Sequence, residues 1–416
     1  MSAKRRFRMR RSQRDYMLSR SPDRRLRILY YVRHWVGILC VASIALFFVL
    51  NIQLLTPASI KNIRSSLAAA AKISSSDTTV IAYPFGSPDS IAPFGSGLAI
   101  CGNGSLTIEL PGSYSQMEAE MTYADPVMRS SDRYLLIFDR GANRFTVCNT
   151  LTQLYTRSIS SPISNATIAD NGTTAVITAE AGYKSAVTVY NIDNEALYKW
   201  SSADYYIMSA ALSNDGSRLA LFCFRQDGLT LTSKLFFTDI SSNESPSNGV
   251  DMDGSLCSGL SFLGRNAVCA VCDDGTYVVG RNGHIRYEQT YVGDDLLAFD
   301  LSDDGVALCT TSYSQEGRAE ITLIGAHGAV SRQPLILTAI PDSISYRDSR
   351  LGILSGDTVT FYNRHLRQID EQSGYSGASR IYMRGGNLCI ALFSSNARVT
   401  TIGQPLEDLT ETVPVE

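Results

Sequence analysis

The sequence lacks the short motifs that mark the common enzyme classes. It has no Gly-x-Ser-x-Gly nucleophile elbow, no Glu-x-x-His metal motif, no Walker-type phosphate loop and no Gly-x-Gly-x-x-Gly fingerprint. Phe94-Gly-Ser-Gly97 is the nearest match to a nucleophile elbow, but it lacks the full motif and lies among predicted short strands. We therefore expect a protein that is not an enzyme, with no catalytic residue and no cofactor.

Metal-ligand and redox patterns are also missing. The Cys-x-x-Cys spacing of Cys269 and Cys272 lies in one continuous apolar strand, where residues three apart point to opposite faces. Of nine cysteines, Cys40 lies in an apolar run, and most of the other eight are expected to be small buried side chains, with one or two disulfides left open. Histidine is rare and scattered, so no metal site is predicted; the four residues are His34, His284, His327 and His365.

One long apolar run stands near the start of the chain. Trp35 to Leu55 contains no charged residue, and about 20 such residues span a hydrocarbon core about 30 Å thick. Residues 1–33 hold 12 Lys/Arg against two Asp, and such a flank stays in the cytoplasm. This pattern predicts a basic cytoplasmic tail (1–33) and a single transmembrane signal anchor (34–55), with the rest of the chain outside the cell membrane.

The sequence disfavours two alternatives to the anchor. A cleaved signal peptide is disfavoured because Leu-Leu-Thr-Pro-Ala-Ser is a poor small-x-small site, and Ala68 to Ala71 lies far downstream. A buried core helix is disfavoured by the one-sided basic flank. Since no folded domain accompanies the basic tail, we expect the cytoplasmic membrane as its partner and no nucleic acid. Residues 34–416 hold 25 basic and 38 acidic residues, so the body of the protein is acidic.

The rest of the chain repeats one pattern. Ser213-Asn-Asp-Gly216 separates two apolar runs, and Ala169–Gly172 and Ser302–Gly305 repeat it. Asp-Gly and Asn-Gly between apolar runs favour tight hairpin turns. A short strand such as Val187-Thr-Val-Tyr-Asn191 follows about a dozen residues later, and neighbouring copies lie about 40 to 50 residues apart. A period of that length indicates a repeat array.

Each unit has the pattern of four strands rich in β-branched and aromatic residues. In the third unit these are predicted at 163–169, 174–179, 186–191 and 196–201. Four-stranded units at this spacing predict an all-β β-propeller of eight blades, with seven as the alternative; hairpin turns disfavour a parallel β-helix. The units start near residues 88, 126, 161, 204, 256, 294, 336 and 377.

The last unit ends after three strands, and the strand within Thr78–Phe85 is expected to supply its fourth. Such a latch joins the two ends of the propeller and removes exposed sheet edge. The predicted domains are therefore a linker (56–77), an extracytoplasmic propeller (78–404) and an acidic C-terminal tail (405–416).

Loops between the second and third strands of all blades open on one face, a common binding face. Arg140, Tyr183, Lys184 and Arg225 come from consecutive units and are the predicted ligand-binding residues, since Arg forks suit carboxylate or phosphate. The alternative is that these loops are polar only because they are solvated.

Several stretches carry a family resemblance, namely Tyr134–Gly141, Phe145–Tyr155, Ile168–Gly172 and Glu180–Asn191. They resemble the bacterial family catalogued as domain of unknown function 5711, which comprises membrane-anchored, propeller-like proteins. The repeats also resemble those of WD40 and TolB-type propellers, a likeness of fold alone. The resemblance implies the topology and implies no activity.

The expected function is a non-enzymatic binding or scaffold module at the cell envelope, with an envelope protein or cell-wall material as its ligand. One alternative is a single-span sensor that works through a partner. Another is an envelope enzyme that processes glycan or peptide through carboxylates in the channel.

Overall fold

A computed structural model describes most of the predicted propeller and a few residues before it. It covers residues 79–403, except 85–87, 113, 243, 247–248, 253, 292–293, 313–316, 326–327, 332 and 386. Of the predicted anchor 34–55, only 35–39 and 41–43 are described, and these are helical. The linker 56–77, the tail 405–416 and nearly all of the tail 1–33 lie outside the described residues. Within the described part of the chain, no helix has the length and apolar character needed to cross a membrane.

The described strands form eight antiparallel sheets of four strands each, which are the eight blades of a propeller ring. Seven blades each consist of four consecutive strands. Blade one contains β2 Ser90–Phe94, β3 Gly97–Gly102, β4 Ser105–Leu110 and β5 Tyr114–Glu120, and blade two contains β6 Pro126–Ser130, β7 Tyr134–Asp139, β8 Arg144–Asn149 and β9 Gln153–Ser158. Blade three contains β10 Ile163–Ile168, β11 Thr174–Thr178, β12 Ser185–Tyr190 and β13 Ala196–Ser202. Blade four contains β14 Tyr206–Leu212, β15 Arg218–Asp227, β16 Thr230–Asp239 and β17 Val250–Asp251.

The remaining blades repeat this order, and the eighth takes its fourth strand from the start of the propeller. Blade five contains β18 Cys257–Leu263, β19 Ala267–Cys272, β20 Gly275–Gly280 and β21 Ile285–Thr290, and blade six contains β22 Asp294–Ser302, β23 Gly305–Ser312, β24 Ala319–Gly325 and β25 Leu335–Leu337. Blade seven contains β26 Ser343–Arg347, β27 Arg350–Ser355, β28 Thr358–Asn363 and β29 Gln368–Ser373. Blade eight contains β30 Arg380–Arg384, β31 Leu388–Leu392, β32 Asn396–Thr401 and β1 Thr79–Ala82.

The latch strand confirms the predicted closure. β1 pairs antiparallel with β32, from Thr79 opposite Val399 to Ala82 opposite Asn396. Ile81 is fully buried and packs in one cluster with Leu98 of the first blade and Ile390 of the eighth. Burying one such side chain stabilises the fold by about 1.5–3 kcal/mol. The first and last blades therefore share a core, and the ring is closed with eight blades rather than seven.

The hairpin turns form where the sequence predicts them. In the third blade, β10 to β13 match the predicted strands to within one or two residues. Gly172 and Gly216 occupy the turns with φ of 85° and 65°, a conformation that a side chain makes costly. One boundary differs: Leu335–Leu337 pairs with β24 as the outer strand of the sixth blade, and the seventh blade begins at Ser343 instead of near 336.

The core lies between the blades. The second strand of a blade is covered on both faces, and β19 is buried at every position. Cys269 and Cys272 belong to two different core clusters, as their opposite orientation predicts. The eight cysteines that are described are all buried and free.

Candidate binding surface

The ring has two faces of different construction. One, here called the turn face, carries the tight turns between first and second strands and between third and fourth strands. The other, the loop face, carries the loops between second and third strands and the links from one blade to the next. All four predicted ligand-binding residues lie on the loop face, in the second, third and fourth blades.

Arg140 of the second blade is paired locally. Its Nε lies 2.7 Å from Oδ2 of Asp125, and its Nη2 lies 3.3 Å from Oδ1. The hydrogen bond from Arg140 lowers the pKa of the Asp125 carboxyl. Both side chains are more than half exposed. Arg140 is thus available to solvent, but its charge already has a carboxylate partner.

Lys184 and Arg225 approach two neighbouring tyrosines in the link between the third and fourth blades. Lys184 Nζ donates to the Asp204 carbonyl at 3.1 Å and lies 5.4 Å from the centre of the Tyr206 ring. The Arg225 guanidinium lies 5.4 Å from the centre of the Tyr205 ring. Such cation–π contacts leave the charges free for a further partner. The Nε of Arg225 is buried and finds no hydrogen-bond acceptor among the described residues.

Aromatic surface accompanies these cations. Tyr183 and Tyr206 are 49% and 43% exposed, which is unusual for large side chains in this ring. The Tyr206 ring stacks on Phe224 with centroids 5.4 Å apart. Three of the four predicted residues therefore lie in the third and fourth blades, while Arg140 lies in the blade before them. A single ligand shared by all four stays a prediction.

The fourth blade carries a projection. β15 and β16 each run for ten residues and pair along their whole length. The inner strand β14 accompanies β15 only as far as Phe224. The segment Arg225–Thr232 thus extends beyond its blade as a two-stranded hairpin, here called the blade-4 arm. Leu229 at its tip is completely exposed.

The sequence contains a signal for this arm. Asp227-Gly228 separates two long runs of strand-forming residues, which is a hairpin pattern. Its projection depends on where β14 ends, however, and from the sequence alone Arg225–Asp227 is predicted only as a polar loop.

The turn face carries charged groups that meet across the ring. We call Asp132, Asp170, Asn214, Asp303 and Arg347 the axial cluster. Arg347 of the seventh blade pairs with Asp132 of the second, whose backbone N–H donates to Asp170 of the third. Asn214 Nδ2 of the fourth blade donates to Asp303 Oδ2 of the sixth at 3.0 Å. The Arg347–Asp132 and Asn214–Asp303 contacts join blades that are not neighbours, so the cluster bridges the centre of the ring.

Burial and like charge act on Asp303. Desolvation raises the pKa of its carboxyl, and Asp170 and Asp132 raise it further, while Arg347 opposes them. The axial cluster thus contains three carboxylates and one cation. It lies on the face opposite the predicted ligand residues, and no sequence pattern predicts it.

Arg384 closes the seam between the last and first blades. Its Nη2 and Nε donate to the Gly95 carbonyl at 2.8 and 3.1 Å. The side chain is buried, and desolvation followed by repulsion from Arg347 lowers its pKa to about 10. This guanidinium serves the ring rather than a ligand.

Burial raises the pKa of the Cys101 and Cys309 thiols to about 11, so neither is a reactive thiolate at neutral pH. Within the described ranges no group of three His, Cys, Asp or Glu is placed to hold a metal ion.

A closed ring of eight four-stranded antiparallel sheets places the protein in the β-propeller class. Residues 90–376 match the family of unknown function DUF5711, and the chain belongs to that family. No curated protein matches the chain in sequence.

Solved structures similar to this chain are propellers of distant sequence. The C-terminal WD40 domain of Sif2 is 13% identical with a TM-score of 0.51, over 78% of this chain and 99% of that one. A eukaryotic initiation factor is 9% identical with a TM-score of 0.51, over 73% of this chain and 81% of that one. BamB from Moraxella catarrhalis is 12% identical with a TM-score of 0.49, over 78% and 99% of the two chains. At these identities the first two likenesses show the fold alone.

Proposed function

We propose that the protein is a membrane-anchored, non-enzymatic binding module whose loop face docks a partner protein outside the cytoplasmic membrane. The observation that carries this proposal is the blade-4 arm, a hairpin that leaves its sheet and ends in the fully exposed Leu229. An apolar side chain at the tip of a projecting hairpin adds nothing to the core of the ring. It is a natural anchor for a second protein.

The backbone of the arm favours a protein partner over a small molecule. Beyond Phe224, β15 has lost its neighbour β14, and β17 pairs β16 only at Lys234 and Leu235. The β15 edge of the arm, and the β16 edge near its tip, therefore offer backbone N–H and C=O groups to another strand. Strand addition at such an edge is a recurring mode of peptide recognition.

The surface at the base of the arm supports the same partner. Lys184, Tyr183 and Tyr206 lie on the loop face in the adjoining blade and link. Exposed tyrosines are favoured at the centres of protein interfaces, and a lysine beside them suits an acidic group on the partner.

The membrane location rests on the sequence. The uncharged run Trp35–Leu55 follows a tail with 12 basic residues, which is the pattern of an anchor with its N-terminus in the cytoplasm. The propeller is then outside the membrane, where its partner is an envelope protein. Protease added to intact cells should remove the propeller and leave the tail protected; a propeller that resists protease until the membrane is opened would contradict this topology.

Site-specific crosslinking in living cells tests the docking surface. A photo-crosslinking residue in place of Leu229 should capture one defined protein. The same residue in place of His365, exposed in a turn of the seventh blade, is the matched control and should capture at least tenfold less of that protein.

A second variant links the captured protein to the loop face. Adding Lys184→Glu to the Leu229 crosslinking variant should lower the yield several-fold, because the mutation reverses a charge without touching the arm. Equal yields at Leu229 and His365, or a yield that Lys184→Glu leaves unchanged, would overturn the docking surface.

A further inference from the structure

A cleft between the fourth and fifth blades opens on the turn face. It has a volume of about 160 Å³. Leu219 and Phe262, both buried, form apolar parts of its lining. Its polar lining comes from the start of β15, the end of β16 and two turns of the fifth blade. The charged residues of that lining are Arg218, Arg265, Arg281 and Asp239.

Positive charge exceeds negative charge in this lining. Asp239 is the acidic residue of the cleft, and two guanidiniums share its carboxylate, Arg218 at 3.3 Å and Arg281 at 3.1 Å. Among the lining residues, three arginines stand against one aspartate, and the Asp215 carboxylate near Arg265 offsets part of the remaining positive charge.

Arg218 is held in place by the neighbouring blade. Its Nη1 donates to the Arg265 carbonyl at 2.7 Å and to Asn266 Oδ1 at 3.0 Å. One face of the cleft is therefore built before any ligand arrives, which reduces the entropy that binding must overcome.

The Arg265 side chain is not held by hydrogen bonds of this kind. In the part of the chain that the structure describes, its guanidinium makes no hydrogen bond or ion pair. The Arg265 charge helps to lower the pKa of the Asp215 carboxyl. That carboxylate already accepts hydrogen bonds from the hydroxyls of Ser213 and Ser217. Arg265 thus brings a free fork of donors to a cleft that already holds two other guanidiniums.

We infer that this cleft between the fourth and fifth blades binds a phosphate group. The planar guanidinium matches phosphate oxygens with two parallel hydrogen bonds. A phosphate dianion carries more charge and more acceptor oxygens than a single carboxylate, so it suits a cleft with three guanidiniums better. This site lies on the face opposite the blade-4 arm and is independent of the partner proposed there.

Calorimetric titration of the full-length protein with inorganic phosphate tests the inference. At pH 8 and low salt, the parent should show saturable binding of one phosphate. Arg265→Gln should weaken binding at least tenfold, and this variant should fold normally because the side chain makes no contact that the ring needs. Arg364→Gln, an exposed arginine of the same face in the seventh blade, is the matched control and should bind like the parent.

Asp239→Asn gives a change in the opposite direction. It removes the carboxylate that competes for Arg218 and Arg281, so phosphate should bind several-fold more tightly. A purely structural role for the four residues predicts no such gain. Thermal melting of each variant shows whether the ring is intact.

A second titration distinguishes a free phosphate from a lipid headgroup. Vesicles of phosphatidylcholine with phosphatidic acid should bind through Arg265 only if the cleft accepts a headgroup; binding of inorganic phosphate alone assigns a soluble phosphate. The inference is overturned if neither probe binds saturably, if acetate binds as tightly as phosphate, or if Arg265→Gln and Arg364→Gln behave alike.

Discussion

The turn face and the loop face of the ring use their polar groups differently. On the turn face, side chains join one blade to another: Arg384 to Gly95, Arg347 to Asp132, and Asn171 Nδ2 to the Asp215 carbonyl at 2.7 Å. On the loop face, Arg140 pairs within its own blade, and the blade-4 arm projects away from the sheets.

This difference predicts that the two faces can be separated by experiment into one that stabilises the ring and one that binds a partner. Substitutions on the turn face remove contacts between blades, so we expect them to destabilise the ring. Substitutions at the tip of the arm remove contacts that the ring does not use, so we expect them to change binding alone. A set of matched pairs, one residue from each face, tests this division.

Two glycine-to-alanine substitutions, one on each face, give the largest expected difference in unfolding free energy. Gly216 on the turn face has φ of 65°, and a Cβ there would lie 2.4 Å from Asn171 Nδ2. Gly216→Ala combines backbone strain with this overlap and should cost about 3 kcal/mol of unfolding free energy. Gly228 in the arm has a similar φ of 62°, but a Cβ would meet nothing within 4 Å. Gly228→Ala should therefore cost about 1 kcal/mol from strain alone.

Urea unfolding of the two alanine variants measures this pair. The slopes of the transitions should match that of the parent, so that the shift in midpoint reports stability. Equal shifts for Gly216→Ala and Gly228→Ala would show that contact between the turns of neighbouring blades does not stabilise the ring.

Two arginine-to-methionine substitutions, one on each face, give an intermediate difference in unfolding free energy. Arg384→Met keeps the apolar stem but leaves the Gly95 carbonyl without its donors, and it should cost about 1.5 kcal/mol. The cost stays moderate because the substitution also relieves the burial of a charge. Arg140→Met on the loop face removes an exposed ion pair and should leave the urea midpoint unchanged. A larger loss for Arg140→Met than for Arg384→Met would reverse the roles assigned to the two faces.

The smallest expected effect is a pH dependence at the axial cluster. The pKa of Asp303 is raised in the fold, so the folded state holds this proton more tightly than the unfolded chain does. Its contribution to stability is therefore greatest below the ordinary carboxyl range and is lost as pH rises through the raised pKa. Relative to the parent, Asp303→Asn should gain stability as pH increases from 4 to 7.

Melting temperatures across that range measure the effect, and Asp227→Asn at the exposed end of β15 is the loop-face control. The melting temperature of Asp303→Asn minus that of the parent should increase as pH rises. The same quantity for Asp227→Asn should stay constant. A difference for Asp303→Asn that shrinks with rising pH has the wrong sign for a carboxyl with a raised pKa.

Local sequence patterns predicted most of the fold. Ser213-Asn-Asp-Gly216 and Ala169-Asp-Asn-Gly172 require hairpin turns because Asp-Gly and Asn-Gly readily adopt positive φ. The three-stranded last unit left an unpaired edge that an early strand had to cover, and β1 covers it. These features depend on residues close in sequence or on counting strands, and both are visible without coordinates.

The axial cluster was not visible in this way. Arg347 and Asp132 are 215 residues apart, and their pairing depends on how eight blades divide a circle. The same holds for the cleft of Arg218, Arg265 and Arg281, which two adjacent blades build together. Sequence patterns place such residues on the correct turns, but only the closed ring determines which turns meet.

The latch strand has a mechanical consequence. The chain enters the ring through β1, whose four residues pair with Ala397 and its neighbours at the rim of the eighth blade. Any tension on the N-terminal segment is therefore transmitted first to this short strand, ahead of the other seven blades. A pull that strips it away would uncover the edge of β32 and the apolar side chains around Ile81, and would turn a closed ring into an open one.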